Sequence, residues 1–161
     1  MLFFLFPFYF IIMGESTSMA ANIIDLTKES ALLKPVVGYI KRKGFRLQTS
    51  ELPFYQRSVD IYGYSMANNK TIAIELKLHK WKKAFEQALL YQLCADEVYI
   101  AMPKKYIGRV NLDFLTKYGI GLISVSETGR CQKMIDAKQS SVLRIGYKNN
   151  HIDYLQRRIN E

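Results

Sequence analysis

Hydrophobic residues along this chain repeat with two different periods, and the changes of period mark its elements. From Asp25 the spacing is helical, with Leu32, Leu33, Val36, Val37 and Ile40 recurring three and four residues apart. Lys41, Arg42 and Lys43 fill the last turn, and Gly44 stands where a helix end favours glycine. Pro35 either kinks this helix or makes its regular part start near Lys34. The period then falls to two. "FRLQTSEL" predicts one strand and "RSVDIYGYS" a second, with Val59 and Ile61 expected on one face and Asp60 on the other. Asn68 and Asn69 supply a hairpin turn. "TIAIELKL" is the clearest strand: Ile72, Ile74, Leu76 and Leu78 share one face, and Thr71, Ala73, Glu75 and Lys77 the other.

The second half alternates helix and strand. A helix is expected from Trp81 to Leu93, with Trp81, Ala84, Phe85, Ala88 and Leu89 as its core stripe. "EVYIAMP" follows as a buried strand, then a helix around "RVNLDFLTKYG" that stops at Gly119, then the strand "IGLISVSE". A hairpin or edge strand is expected within residues 131–147. "NNHIDYLQRRINE" predicts a terminal helix capped by Asn149 or Asn150. Helix, three strands, then strand–helix alternation predicts an α/β chain with a mixed central β-sheet flanked by helices.

Composition narrows the function classes. The chain has 161 residues and is 49% hydrophobic, enough for one domain with a real core and too apolar for disorder. Lys and Arg number 23 against 14 Asp and Glu, a net charge of +9. That surplus favours a polyanionic partner such as DNA, RNA or an acidic membrane face, or else serves only solubility. The two cysteines, Cys94 and Cys131, form no CxxC pair, so neither a disulfide framework nor a zinc signature is present. A reducing, cytoplasmic setting is the simpler expectation.

Residues 1–13, "MLFFLFPFYFIIM", are apolar throughout, yet shorter than the roughly 20 residues that span a bilayer. No Lys or Arg precedes them, as a signal peptide would require. The expected division is therefore an extension outside the fold at 1–18, a domain at 19–148 and a helical tail at 149–161. A short membrane-associating segment, making this a membrane-associated interaction protein, and a signal cleaved within "STSMA" are the other readings of the first segment.

The charged positions on the third strand bring in chemistry. Asp60 lies on one strand, and Glu75 and Lys77 lie on its hairpin partner, on one face by the period of two. Two carboxylates beside main-chain carbonyls are hard oxygen ligands suited to Mg2+ or Mn2+. A lysine next to them can orient an attacking water or balance charge on a phosphate. The plain alternative is a half-exposed strand with a modest surface ion pair. Basic residues gather nearby: Lys80, Lys82 and Lys83 follow the strand, Lys41–Lys43 and Arg46 end the first helix, and Lys104, Lys105 and Arg109 follow "EVYIAMP". Such groups neutralise phosphates without reading bases. Arg157 and Arg158 are expected to be solvated, His79 to be a surface residue, and Trp81 to be core.

"VDIYGY", a hairpin, "IAIELKL", then a helix with "FEQALLYQ" and the strand "EVYIAMP" together resemble the PD-(D/E)XK nuclease superfamily. The likeness is to branches with a Gln-x-x-x-Tyr motif on the helix after the catalytic strand, here Gln87 and Tyr91, and it covers roughly residues 25 to 130. It implies a restriction-endonuclease-like fold and a metal-dependent endonuclease acting on DNA, in repair, recombination, restriction or a mobile element. Asp60 and Glu75 would bind Mg2+ or Mn2+ with the Leu76 carbonyl, Lys77 would be the catalytic lysine, and Glu29 would add to the metal shell. Gln87 and Tyr91 would support the site or touch the nucleic acid, as would Lys80, Lys82 and Lys83. Val59 departs from the proline of the family's motif, but proline supplies no ligand. Glu51 is a further acid set aside as a ligand. A non-catalytic nucleic-acid-binding module on the same fold is the rival. A homodimer is expected if the apolar face of Ile152, Leu155 and Ile159 is an interface.

Overall fold

The structure, a computed structural model, describes residues 22–159. The apolar segment 1–18 and the readings attached to it lie outside the described residues. Among the described residues, no helix is long and apolar enough to cross a membrane.

Six strands form one mixed sheet in sequence order: β1 (Leu47–Phe54), β2 (Arg57–Ser65), β3 (Lys70–Leu76), β4 (Glu97–Pro103), β5 (Gly121–Val125) and β6 (Cys131–Ile135). The first three pair antiparallel, β3, β4 and β5 run parallel, and β6 returns antiparallel on the far edge. The helices are α1 (Leu33–Arg42), α2 (Trp81–Tyr91), α3 (Leu112–Lys117) and α4 (Ile145–Arg157). The parallel connections require crossovers, and α2 and α3 supply them. This is an α/β fold with helices on both faces of the sheet, as the alternation of periods predicts.

Each face buries its own core. Leu32, Val36 and Ile40 pack against Ile61, Ile72, Ile74, Leu76, Ala101 and Ile123 on the α1 side. Ala84, Phe85, Ala88 and Tyr91 pack against Tyr62, Ala73, Val98, Ile100 and Leu122 on the α2 side. Pro35 does not kink a helix. The chain first makes a 3-10 turn at Glu29–Leu32, and α1 begins at Leu33, so the proline falls in the first turn, where its missing N–H costs nothing. Gly44 follows with φ of 100°, and Asn69 ends the β2–β3 turn with φ of 50°. Pro53 is tolerated within β1 because that strand is an edge.

Four expectations need correction. Val59 and Ile61 do not share a face: Val59 enters the α2-side core and Ile61 the α1-side core. The alternation slips at Asp60, and in β1 Glu51 adopts φ of 53° between Ser50 and Leu52, which pair with Ile61 and Val59. The helix expected at "RVNLDFLTKYG" is shorter, because Asn111 accepts a hydrogen bond from the Phe114 N–H at 2.9 Å and so caps α3 there. The terminal helix starts at Ile145, ahead of Asn149 and Asn150, so the boundary at 148/149 falls inside α4. Ile152 and Leu155 are buried in the core, which spends the apolar face proposed for a dimer; only Ile159 is exposed.

The early start of α4 has a reason. Lys148 is buried, and its ammonium reaches Asp96 Oδ2 at 2.8 Å and the Asn69 carbonyl at 2.8 Å. Asp96 also accepts from the Thr71 N–H and hydroxyl and from Gln139. One carboxylate thereby ties the starts of β3 and β4 to α4. Burial alone pushes the Asp96 carboxyl up, but Lys148, Thr71 and Gln139 together hold it below its ordinary value of 3.8. A depressed folded value contributes stability above that ordinary value, lost as pH falls through the folded one. Asp96→Asn should therefore lower stability by about 3–5 kcal/mol at neutral pH, because Lys148 keeps a buried charge. Urea unfolding should show this, with recovery in the Asp96→Asn, Lys148→Met double variant and a shrinking difference below about pH 4.

Candidate active site

The β2–β3 ladder ends at Ile61 opposite Ile74, and beyond it the two strands splay. Asp60 fills the gap. Its Oδ2 accepts the Leu76 N–H at 2.7 Å, in place of a main-chain partner. Glu75 lies between, on the α2 side, and is 1% exposed. Glu75 Oε1 pairs with Lys77 Nζ at 3.1 Å, and Oε2 lies 3.1 Å from the Tyr91 hydroxyl. Lys77 also reaches Glu29 Oε2 at 3.5 Å. The tyrosine is anchored in turn by the Ser58 carbonyl at 2.8 Å. A cleft of about 250 Å³ beside this group is lined by Glu29, Ser30, Leu33, Ser50, Glu51, Asp60 and Leu76.

Asp60, Glu75, Lys77, Leu76 and Glu29 are thus brought together. Glu51 is brought there too: it lines the same cleft, and its charge acts on Asp60. Setting it aside missed the hairpin register, which places it between residues paired with the two neighbours of Asp60. Gln87, one turn before Tyr91, directs its side chain at the same phenol, while its Oε1 is buried with no hydrogen-bond partner. Ser58, whose carbonyl anchors Tyr91, carried no sequence signal, because only its main chain takes part.

The basic residues divide. Lys80, Lys82 and Lys83 are exposed at the start of α2, next to Lys77. Lys104 and Lys105 follow β4 at the same end of the sheet, since β3 and β4 are parallel, and line a groove of about 400 Å³ with Leu26, Val125 and Ser126. Lys43, by contrast, lines a small cavity with Ile72 and Glu97 at the opposite ends of those strands, so the cluster ending α1 does not flank the cleft. His79 is exposed against Tyr106. Trp81 is only half-buried, edge-on to Phe114. Arg158 is not simply solvated, because it donates to Thr49 at 2.8 Å.

Electrostatics follow from three acids acting on one ammonium, with Glu51 acting on Asp60. Burial and then the charge of Asp60 push Glu75 up to about 7, against the pull of Lys77 and Tyr91. Burial also raises Asp60, with Glu29 and Glu51 adding to it and the Leu76 N–H and Lys77 opposing. Burial works to lower the Lys77 pKa, but the Glu75 hydrogen bond and the nearby carboxylates outweigh it and hold the ammonium charged. Tyr91 has one proton to give and two acceptors. When Glu75 is protonated, it can donate to Tyr91 while Tyr91 donates to Ser58, so the phenol's one proton no longer has two claimants.

These residues also fit a hard divalent cation. The chemistry of the donors is what suits one: two carboxylates, raised by burial first and by neighbouring acids second, stand beside a main-chain carbonyl. Among the described residues, no three His, Cys, Asp or Glu side chains cluster as a metal cage. A cation here would rest on Asp60 and Glu75 with the Leu76 carbonyl and waters, as Mg2+ commonly does.

No protein-family model and no curated protein sequence matches the chain. Among solved structures it is similar to a protein of unknown function from Silicibacter pomeroyi, at 16% sequence identity and a TM-score of 0.66. The likeness covers 85% of this chain and 89% of that one. The two chains share a fold. At this identity the likeness speaks to architecture alone.

Carboxyl NMR of the cation-free protein should place the Glu75 midpoint near 7. Asp60→Asn should move it down, by removing a neighbouring charge, and Tyr91→Phe should move it up, by removing a donor. A raised folded value means that Glu75 contributes stability at low pH, which is lost as pH climbs from its ordinary 4.5 through about 7. Unfolding midpoints across that window should fall, and less so in Asp60→Asn.

Proposed function

We propose that this protein is a metal-dependent nuclease with a restriction-endonuclease-like fold, hydrolysing phosphodiester bonds of DNA. The observation that carries the reading is the convergence of Asp60, Glu75 and Lys77 at the splayed end of β2 and β3. Three residues singled out from sequence, two of them on a different strand from the third, meet within hydrogen-bond reach of one another or of a shared backbone. A solvated strand face would leave Glu75 exposed and would not anchor it to Tyr91. The mixed sheet and the position of Gln87 and Tyr91 behind Glu75 support the same reading.

Asp60, Glu75 and the Leu76 carbonyl would hold Mg2+ or Mn2+, with Glu29 and Glu51 near enough to act through water. Such an ion polarises a phosphate and lowers the pKa of a bound water. Asp60 is held in place by the Leu76 N–H and lines the cleft. Tyr91 fixes the rotamer of Glu75, and Lys77 keeps its ammonium charged beside the place where negative charge develops. Lys80, Lys82, Lys83, Lys104 and Lys105 present cations at the same end of the sheet, where a phosphate backbone can lie. Nothing in the arrangement reads base edges.

The test is cleavage by the full chain of plasmid, branched and single-stranded DNA, and of RNA, with Mg2+ or Mn2+. Glu75→Gln and Lys77→Ala should each reduce cleavage by about a hundredfold or more while DNA binding persists. Either divalent ion should also raise the unfolding midpoint of the wild type and not of Glu75→Gln. Cleavage of no substrate would leave a binding module as the better account, and cleavage that survives both substitutions would mean a contaminant or a different site.

A further inference from the structure

A second concave surface lies on the other side of the β1–β2 hairpin. This groove, of about 540 Å³, is lined by Tyr55, Leu93, Arg144, Gly146, Tyr147 and Asn150. Its aromatic wall is unusual for a surface. Tyr55 is 62% exposed and occupies the hairpin turn with φ of 54°, a conformation that bulky side chains rarely adopt. The ring stands exposed, and neighbours hold it. Its hydroxyl hydrogen-bonds that of Tyr147, and both rings stand edge-on to Phe54, at 4.8 and 5.3 Å between centroids. An exposed tyrosine fixed on two sides is a preformed flat surface, with little left to lose on binding.

The rest of the lining agrees on a ligand. Arg144 is the charged residue of the groove, and no acid lines it. Gly146 places no side chain along the lining, and one there would meet nothing within 4 Å. Asn150 offers both a donor and an acceptor. A planar ring system with hydrogen-bonding edges and an attached anion matches this set. The groove is also tied to the candidate active site. Tyr55 and Asp60 belong to one turn and strand, separated by no more than about 18 Å of extended chain. Ser58, between them, accepts the Tyr91 bond that backs Glu75.

We propose that this groove holds an unpaired base of the nucleic-acid strand, stacked on Tyr55, with Tyr147 bracing that ring edge-on and the phosphate at Arg144. The inference rests on the nucleic-acid substrate of the proposed nuclease and names its class: strands with unpaired nucleotides, not continuous duplex. A base offers its flat face only when it has left the stack. Substrate choice would then be made at the aromatic groove, apart from the carboxylates.

The test is binding in EDTA, where no cleavage occurs, using the full chain with a labelled oligothymidylate and a blunt duplex of equal length. Tyr55→Ala should weaken binding of the single strand roughly 5- to 100-fold, the range of one lost base stack, and change duplex binding less than about twofold. Tyr55→Phe, which keeps the ring and loses the Tyr147 hydrogen bond, should stay within about threefold of wild type. Arg144→Ala, which leaves the tyrosines in place, should weaken the single strand and lower its salt dependence by about one ion. Single-strand binding that ignores both Tyr55→Ala and Arg144→Ala would overturn the proposal, and so would equal losses on single strand and duplex. The two readings separate cleanly. Metal-dependent cleavage with no Tyr55 or Arg144 effect leaves the nuclease and removes the groove. A single-strand effect at both residues without cleavage by any metal leaves the groove and removes the nuclease.

Discussion

A carboxylate that water cannot reach must be solvated by protein, and Glu75 imposes that constraint on everything around it. Its two oxygens fix Lys77 on one side and Tyr91 on the other. Tyr91 in turn fixes the distance between α2 and the start of β2 through Ser58. The packing of Ala84 and Ala88 on α2 lets that helix lie close to the sheet, so the phenol can reach across. Asp60 solves a related problem. Splaying two strands leaves an N–H without a partner, and a side-chain oxygen supplies one. The cleft lies where one acid bridges the end of the ladder and the other is enclosed beside it.

Much of this was legible from residue order. The period of two in "IAIELKL" placed Ile72, Ile74 and Leu76 on one face and Glu75 with Lys77 on the other, because a regular strand buried on both faces leaves no alternative. The helical repeat put Gln87 and Tyr91 on one face of α2, and only the family resemblance pointed that face at Glu75. Pro103 and Gly119 marked ends that the fold respects. These features depend on near neighbours, and near neighbours are what a sequence displays.

What escaped depends on partners far along the chain. No local signal says that β1 and β2 slip their pleat at Glu51 and Asp60, because the slip follows from two strands fitting each other. The start of α4 obeys a buried ammonium whose acid stands on another element, and the asparagines that look like caps sit exposed within the helix. The basic run after α1 looked like its counterpart after β3 until the topology put them at opposite ends of the sheet. Charge can be counted in a sequence, but its address is set by connectivity.

The contact between Lys148 and Asp96 also bears on how the chain comes to be folded. Strands β1 to β5 and their crossovers leave the ribosome before α4 exists. Until then Asp96 has hydrogen bonds but no counter-charge, and the hydrophobic places of Ile152 and Leu155 stay open. The sheet therefore remains unlatched during synthesis and closes when its last helix arrives. A nascent chain halted before Lys148 is a half-finished core with an exposed flank, the kind of species that chaperones hold and proteases find.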